Sequence, residues 1–222
     1  MRQGRTPVVV VKLVCEVGHA VLVHHAKARI EILVYVDQDD SEQFEYLVTH
    51  KNLSADSRVA NLFNFETLID EPLTTPRINN ILAERAQGNI LMIANDDQVY
   101  VDNGWDIRID QEASKFPDDI YCMWFNDGRY QEKICTFPIL SRKWVNTLGY
   151  IEPFLFEHFN CDLWTWQIGL LIDRLNYIPD ILVEHRHPDT GKSKAEIARD
   201  AHLKFLDMRR DKNDRVALWL FS

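Results

Sequence analysis

The sequence lacks any uninterrupted apolar run of about 18 residues, the length that predicts a membrane-spanning helix. Its most apolar early stretch, Val8 to Val11, is soon followed by Lys12 and Glu16, and it lacks the small-residue cleavage site of a secretory signal. These absences predict a cytoplasmic protein with no membrane span and no secretory leader.

Cysteine is scarce, and acidic residues outnumber basic ones. The four cysteines, Cys15, Cys122, Cys135 and Cys161, form no CxxC pair, which argues against a zinc site and predicts reduced, mostly buried thiols. The formal net charge of −9 argues against non-specific binding to nucleic acid, because such binders carry a basic footprint. A nucleotide held through a metal ion is compatible with this charge.

The chain does contain enough apolar material for one substantial core, since 46% of its 222 residues are hydrophobic. It has no internal repeat, low-complexity segment or linker, so we predict a single domain over 1–222 with a C-terminal tail at 209–222. The apolar end of that tail, Val216 to Phe221, is expected to dock on the body of the protein or on a second copy in a homodimer.

Strand-like and helical patterns alternate along the chain. Strands are predicted at Ile30–Val36, Ile90–Ala94, Ile120–Phe125, Ile134–Leu140 and Tyr177–Val183, where Pro179 suggests an edge or strand-start position, and residues 58–62 can form another. Helices are predicted at residues 8–26, Ser41–Lys51, Thr75–Gly88, Trp105–Phe116, Cys161–Leu171 and Ala195–Met208, with a short one from Ser141. This alternation predicts an α/β fold with a mixed, largely parallel sheet flanked by helices.

The most informative stretch is Ile90 to Asp97, an apolar run that ends in two adjacent carboxylates, Asp96 and Asp97. A second predicted strand ends in Asp37, with Asp39 close behind it. Because the carboxyl ends of parallel strands open on one edge of a sheet, one acidic group can hold a nucleoside and the other a cation shared with a diphosphate. Solvated acidic turns would give the same pattern.

Two further groups of polar residues can carry chemistry. His185 and His187 alternate at a strand end and can complete a divalent metal shell, although an ordinary polar strand end is the alternative. Glu157 and Asp162 lie among aromatic residues before a predicted helix, where desolvation can raise the pKa of an acid until it serves as a base. Asn160 and Asp162 can also cap that helix. Capping alone would account for these two residues without a catalytic role, although the two roles are compatible.

In this order, the motifs resemble the family 2-like glycosyltransferases of the GT-A type, especially small members encoded by viruses or bacteria. Asn95-Asp96-Asp97 stands where that family carries its DXD metal motif, and Ala86 to Leu91 resembles the lead into it. Phe156 to Trp164 is similar to the segment that contains the acceptor-side base, and Ile178 to Pro188 to the late strand with a metal-contacting histidine. The resemblance covers roughly residues 29–190.

The resemblance implies a GT-A-like nucleotide-diphospho-sugar transferase that moves a sugar, with inversion, to a hydroxyl of a glycan, lipid, protein or modified nucleic acid. A bound Mn²⁺ or Mg²⁺ would be held by Asp97 and His187, with His185 as a further ligand. Four other residues would hold the donor: Asp37, Asp39, Arg77 and Asp96. Arg2, Arg5 and Lys143 are further cations that can contact phosphates, although surface charges are usually only solvated.

Departures from the family pattern set further expectations. Arg2 to Pro7 resembles the loop that normally follows the first strand, so we expect that strand to be absent or supplied differently. Cys161-Asp162 stands in place of the usual Glu-Asp pair, which makes Asp162 the preferred base and Glu157 the second candidate. The alternatives are a catalytically impaired nucleotide- or sugar-binding relative, or a metal-dependent hydrolase that uses the two adjacent carboxylates and both histidines.

Overall fold

The computed structural model describes residues 7–12, 30–41, 63–95, 98–157 and 159–185, and six separate positions between 44 and 55. The strands in these ranges are β1 (Pro7–Lys12), β2 (Ile30–Asp37), β3 (Phe63–Asp70), β4 (Ile90–Asn95), β5 (Gln98–Tyr100), β6 (Cys122–Asn126), β7 (Ile139–Ser141) and β8 (Leu175–His185). The helices are α1 (Thr75–Arg85), α2 (Trp105–Ala113), α3 (Arg142–Leu148) and α4 (Cys161–Leu171), with a 3₁₀ turn at Gln131–Lys133. No described helix is long and apolar enough to cross a membrane.

The strands form one sheet in the order β3-β2-β1-β4-β7-β6-β8-β5. Strands β3, β2, β1 and β4 pair in parallel, and β6 pairs in parallel with β8. The short strands β7 and β5 run antiparallel to their neighbours. Six of the described strands therefore point the same way, which confirms the predicted mixed, largely parallel sheet.

Both faces of the sheet are buried under helices. Successive side chains of β2 alternate between the two cores, as the two-residue period of a strand requires: Val34 packs on one side and Leu33 on the other. The first core contains the buried face of α2, with Trp105 and Ile109 fully enclosed. The second lies under α1 and α3, with partly buried residues of α4 at its margin. The result is a three-layer arrangement of helices, sheet and helices.

The expectation that the first strand is absent is wrong, and so is the helix predicted from residue 8. Residues 7–12 form β1, which lies inside the sheet and pairs with β2 on one side and β4 on the other. The four consecutive valines explain the difference, because β-branched side chains favour the strand conformation and a continuous apolar run is typical of a parallel strand. The remainder of the predicted helix, 13–26, lies outside the described residues.

Several other predicted elements are confirmed, and one is much shorter than predicted. Helix α4 has the predicted bounds, α1 and α2 lie within theirs, and the six described positions between 44 and 55 are helical. The strand predicted at Ile134–Leu140 is shorter, because only Ile139–Ser141 pairs with its neighbours. The predictions at 58–62, 195–208 and the 209–222 tail lie outside the described residues.

Pro179 does not occupy a strand start, but β8 is locally an edge at this residue, because the neighbouring β5 pairs only with Val183, Glu184 and His185 among the described residues. It lies within β8, at the place where pairing with β6 jumps from Phe125 opposite Ile178 to Asn126 opposite Leu182. Proline has no backbone N–H to donate, so an irregularity of the ladder is a position that it tolerates. The proline therefore coincides with the bulge that precedes the last residues of β8.

Arg142, the first residue of α3, closes the turn between α1 and β4. Its guanidinium donates four hydrogen bonds of 2.6–3.1 Å to backbone carbonyls of that turn, those of Ala83, Ala86 and Gly88. Desolvation lowers the pKa of Arg142, while the negative charge of Glu31 opposes that shift. Carbonyls at a helix end have no partner within the helix, so this side chain satisfies groups that would otherwise need water.

We predict that Arg142→Met lowers the free energy of unfolding by about 2–3 kcal/mol, because these carbonyls lose a charged donor. Urea denaturation measures the change. Lys143→Met is the matched control, since the exposed Lys143 donates one hydrogen bond, to the carbonyl of Asp118, within the described part of the chain, and it should cost under about 0.5 kcal/mol. Equal effects of the two substitutions would contradict the role given to Arg142.

Glu112 on α2 is a buried carboxylate with three donors. Arg108 on the same helix, Lys115 just beyond its C-terminal end and Asn176 on β8 all donate to it. Burial raises the pKa of Glu112, but the hydrogen bonds from these donors outweigh it and hold the pKa below its ordinary value. Arg108 also bonds to Asp180 at 2.8 Å, so the network ties α2 to β8.

A lowered folded-state pKa means that the ionised Glu112 stabilises the fold above its ordinary pKa of 4.5, and that this contribution disappears as the pH falls through the folded-state value. We therefore expect Glu112→Gln to lower the free energy of unfolding by about 1–3 kcal/mol at pH 7, and the difference from wild type to shrink below about pH 4. Denaturation at several pH values tests this. The exposed Glu84→Gln serves as control, and a pH-independent effect of Glu112→Gln would contradict the prediction.

Candidate active site

Polar residues stand at the carboxyl ends of five parallel strands. Asp37 ends β2, Asp70 ends β3, Asn95 ends β4, Asp127 directly follows β6 and His185 ends β8. Since these strands point the same way, the residues lie along one side of the sheet, which we call the polar edge. This is the side on which an open α/β sheet binds its ligands.

Asp96 and Asp97 are the two residues between β4 and β5, and both lie outside the described residues; we keep for this pair the name acidic turn, which is the prediction from the sequence. The residues on either side are closely connected: the backbone N–H of Asn95 donates to Oε1 of Gln98 at 2.9 Å. Gln98 is buried and lies opposite His185 in the register of β5 and β8. Strand pairing therefore joins the flank of the acidic turn to the predicted histidine strand.

His185 is half-buried at the end of β8. Its backbone N–H donates to the carbonyl of Asp127 at 3.1 Å, and its ring packs edge-on against Phe137 with ring centres 4.8 Å apart. His187, its predicted partner, lies outside the described residues. In the described part of the chain, no three His, Cys, Asp or Glu side chains converge as a metal site.

Asp162 lies in the first turn of α4 and is half-buried. Desolvation raises the pKa of its carboxyl group, and this outweighs the opposing effects of the backbone hydrogen bonds and of the nearby His185. Oδ1 of Asp162 accepts the N–H of Leu163 at 2.8 Å. The predicted N-cap, Asn160, does precede α4, with a left-handed φ of 69° and no side-chain capping bond. The structure thus brings Asp162 near His185, in an environment suited to a general base.

The start of α4 is held by a buried cysteine. The thiol of Cys135 donates to the carbonyl of Asp162 at 3.4 Å. Cys122, Cys135 and Cys161 are all buried and free, as predicted, and Cys15 lies outside the described residues. Burial raises the pKa of Cys135 and of Cys161, so these thiols are protonated packing groups. Glu157, the second candidate base, is half-buried in the loop before α4.

The other end of the polar edge is acidic. Asp37 is half-buried and lies opposite Asp70 in the register of β2 and β3, while Asp39 is exposed in the following turn. The hydroxyl of the buried Tyr35 donates to the carbonyl of Glu71 at 2.5 Å. Desolvation, and then the charges of Asp70, Asp37 and Glu71, raise the pKa of Tyr35. Tyr35 is therefore a neutral donor beneath a group of carboxylates.

The predicted cations differ in position. Arg77 is exposed in the first turn of α1, which begins beside the polar edge because it follows the end of β3. Lys143 follows the end of β7, and Ser141 of β7 lies opposite Ile90 at the start of β4. Lys143 is therefore on the opposite side of the sheet, away from the candidate site. Arg2 and Arg5 lie outside the described residues.

Asp127 was not singled out by the sequence, yet it organises the loop after β6. Its Oδ1 accepts the backbone N–H groups of Arg129, Tyr130 and Gln131 at 2.8–2.9 Å. Its Oδ2 accepts the hydroxyl of Thr136 at 2.8 Å. This buried carboxylate shapes the loop that leads to β7, and it borders a small cavity at the polar edge.

A sequence signal for Asp127 did exist. Asn126-Asp127 follows the apolar run of β6 just as Asn95-Asp96 follows that of β4. Its significance became visible only when the topology made β6 parallel to β4 and placed both ends on the same edge. The rule that ligand-binding residues follow the carboxyl ends of parallel strands, which selected the ends of β2 and β4, thus also applies to the end of β6.

We expect Asp127→Ala to lower the free energy of unfolding by about 2–4 kcal/mol, because three backbone N–H groups and one hydroxyl lose their acceptor. Hydrogen exchange followed by NMR should show the largest loss of protection at the amides of residues 129–131. Asp110→Ala, an exposed change on α2, should alter neither measurement. Retained protection at those three amides would refute the role of Asp127.

No protein family and no curated protein matches this sequence. Solved structures with a similar fold do exist. The mannosyltransferase PcManGT from Pyrobaculum calidifontis, in complex with GDP-Man and Mn²⁺, has a TM-score of 0.59 at 13% identity, over 81% of this chain and 56% of that one. S. aureus TarS 1-349 in complex with UDP has a TM-score of 0.57 at 11% identity, over 81% and 59%.

GalNAc-T7, solved with UDP, GalNAc and Mn²⁺, has a TM-score of 0.60 at 14% identity, over 83% of this chain and 44% of that one. The chain thus spans about half the length of these proteins, and the similarity extends over most of its own length. At such low identity the similarity concerns the fold. The protein has a GT-A-like fold, as the sequence predicted.

Proposed function

We propose that the protein is a metal-dependent glycosyltransferase that moves a sugar from a nucleotide-diphospho-sugar to an acceptor hydroxyl. The position of His185 carries this proposal. It lies opposite Gln98, which follows Asp96 and Asp97 in the sequence, and it is close enough to Asp162 to oppose the larger effect of burial on the pKa of that carboxyl group. One residue therefore connects the proposed donor side with the proposed acceptor side.

On the donor side, Asp37 and Asp39 hold the nucleoside, Arg77 contacts the diphosphate and Asp96 binds hydroxyls of the sugar or ribose. Asp97 and His187 hold Mn²⁺ or Mg²⁺, with His185 as a further ligand. The pairing of His185 with Gln98 fits this assignment, because it puts an imidazole opposite the residue that follows Asp97 in the sequence, and both carboxylate and imidazole suit such cations. A cation held by these residues would supply positive charge to neutralise the charge that develops on the departing diphosphate.

On the acceptor side, Asp162 removes the proton from the attacking hydroxyl, with Glu157 as the second candidate. Its half-buried position at the start of α4 shields it from water, and the bond from Cys135 to its carbonyl fixes the backbone beneath it. Direct attack by the deprotonated oxygen on the anomeric carbon, opposite the leaving diphosphate, inverts that carbon. The reaction class is therefore an inverting hexosyl or pentosyl transfer.

The similar structures support the donor class. They are described with GDP-Man, UDP, UDP-GlcNAc and Mn²⁺, so a nucleotide-diphospho-sugar and a divalent cation are known ligands of this fold. The presence of β1 also weakens the alternative of a catalytically impaired relative, since the supposed loss of that strand was one of its two supports. The other support, Cys161 before Asp162, is a buried packing residue.

A thermal-shift screen of nucleotide sugars, including UDP-GlcNAc and GDP-mannose, with and without MnCl₂ tests donor binding. We expect one donor to raise the melting temperature only when the metal is present, by several degrees at saturating concentration. Asp97→Asn should abolish the metal-dependent part of that shift. Stabilisation by no nucleotide sugar would contradict the proposal, and slow hydrolysis of the bound donor would exclude a non-catalytic relative.

We predict that Asp162→Asn reduces sugar transfer by about 10²–10⁴-fold, because the acceptor hydroxyl loses its general base. The metal-dependent thermal shift with the donor should persist, since Asp162 does not hold the donor. Asp173→Asn, an exposed change beyond the other end of α4, is the control and should leave transfer unaltered. Equal loss of transfer and of donor binding in Asp162→Asn would remove its assignment as base.

A further inference from the structure

Residues 150–156 form part of the loop between α3 and α4, and side-chain contacts hold this segment, which we call the strap, at its start and at its end. On the α1 side, Asn80 accepts the N–H of Ile151 at 2.8 Å and donates to the carbonyl of Glu152 at 2.7 Å. Asn79 donates to the Glu152 carboxylate at 2.9 Å. Ile151, Glu152 and both asparagines are buried, so these bonds form away from water and hold the strap to α1.

The strap is also fastened to α4, the helix that carries Asp162. The indole N–H of Trp164, in the first turn of α4, donates to the hydroxyl of Tyr150 at 3.0 Å. Phe156, at the end of the strap, is 1% exposed and packs edge-on against the same indole, with ring centres 6.2 Å apart. Both ends of the strap therefore contact one side chain that lies two residues after the candidate base.

Between these fastenings the strap presents two large apolar side chains to solvent. Phe154 is 64% exposed and Leu155 is 50% exposed, whereas Pro153 and Phe156 on either side are buried. Exposure of adjacent large apolar groups is unfavourable in water unless a ligand or partner covers them. The strap thus displays a small apolar surface, Phe154 and Leu155, which we call the tip; it lies between Tyr150 and Phe156, the two residues that contact Trp164 in the first turn of α4.

We propose that the tip binds an apolar group of the acceptor, so that the acceptor is an amphiphile with a hydroxylated head and a hydrocarbon or aromatic portion. This rests on the proposed function, in which Asp162 or Glu157 receives the acceptor hydroxyl. The residues for the two parts of such an acceptor are close in the sequence. The carboxylates of Glu157 and Asp162 would receive the hydroxylated head, and Phe154 and Leu155 would bind the apolar portion.

A second apolar surface provides a control. Leu170, Leu171 and Ile172 are exposed at the C-terminal end of α4, and Leu171 is 85% exposed. They precede the start of β8, whose carboxyl end is at the polar edge, so they lie toward the opposite side of the sheet. Non-specific hydrophobic binding to exposed side chains would also involve these three residues, whereas binding of the acceptor at the tip would not.

The test compares octyl β-D-glucoside, below its critical micelle concentration, with methyl β-D-glucoside as probes for the full chain, in the absence of donor and metal. Ligand-observed NMR titration gives the affinities. We expect the octyl compound to bind at least about tenfold more tightly than the methyl compound, and Phe154→Ser/Leu155→Ser to weaken it about 10–100-fold, since about tenfold is lost for each side chain no longer buried against the ligand. Leu171→Ser should leave its affinity unchanged.

Equal affinity of the two glucosides for the wild type, or unchanged octyl glucoside binding in the double variant, would overturn the proposal. So would weaker binding in Leu171→Ser. The single variants Phe154→Ser and Leu155→Ser provide the same comparison if the double variant proves unstable. Because the assay contains neither donor nor metal, failure here is distinct from failure of the nucleotide-sugar screen, which tests the proposed function itself.

Discussion

The common direction of six strands is the constraint on which the candidate site depends. Strand β1 is essential to this alignment, because it is hydrogen-bonded to both β2 and β4. Its register with each strand fixes how far β2 and β4 extend relative to one another. Asp37 at the end of β2 and Asn95 at the end of β4 reach the same edge through that pairing. A shift of one residue in this register would turn each strand's side chains to the opposite face, so the burial of both faces protects the alignment.

His185 occupies a comparable position in the other half of the sheet. The irregular pairing around Pro179 resumes at Leu182, and β8 then continues to its pairing with Gln98. The backbone of His185 is bonded to Asp127, whose carboxylate in turn holds the loop after β6. These buried polar contacts are satisfied by several partners each, which favours a single arrangement of the edge over a set of loose loops.

Local patterns predicted the strand that precedes Asp96 and Asp97 and the amphipathic helices, including the bounds of α4. They failed at residues 7–12, because a run of valines between charged residues gives no period that separates helix from strand. They also missed Asp127, since an acidic residue after a strand is usually a solvated turn, and only the relation of β6 to β4 gives it meaning. For Lys143 the sequence suggested a role that the topology does not support. Its charge suggested phosphate contact, but β7 is antiparallel to β4, so Lys143 lies at the amino ends of the parallel strands, away from the polar edge.

The sequence by itself determined the alternation of elements, the apolar strands and the acidic residues that follow β2 and β4, because these properties depend on the period and chemistry of neighbouring residues. Only the tertiary structure decided that Asp162 is desolvated near His185, that Asn79 and Asn80 hold the strap to α1, and that Phe154 and Leu155 are exposed in the loop before α4. Each of these depends on contacts between residues far apart in the chain. Their burial and distance are set by how strands and helices pack, and no local pattern contains that information.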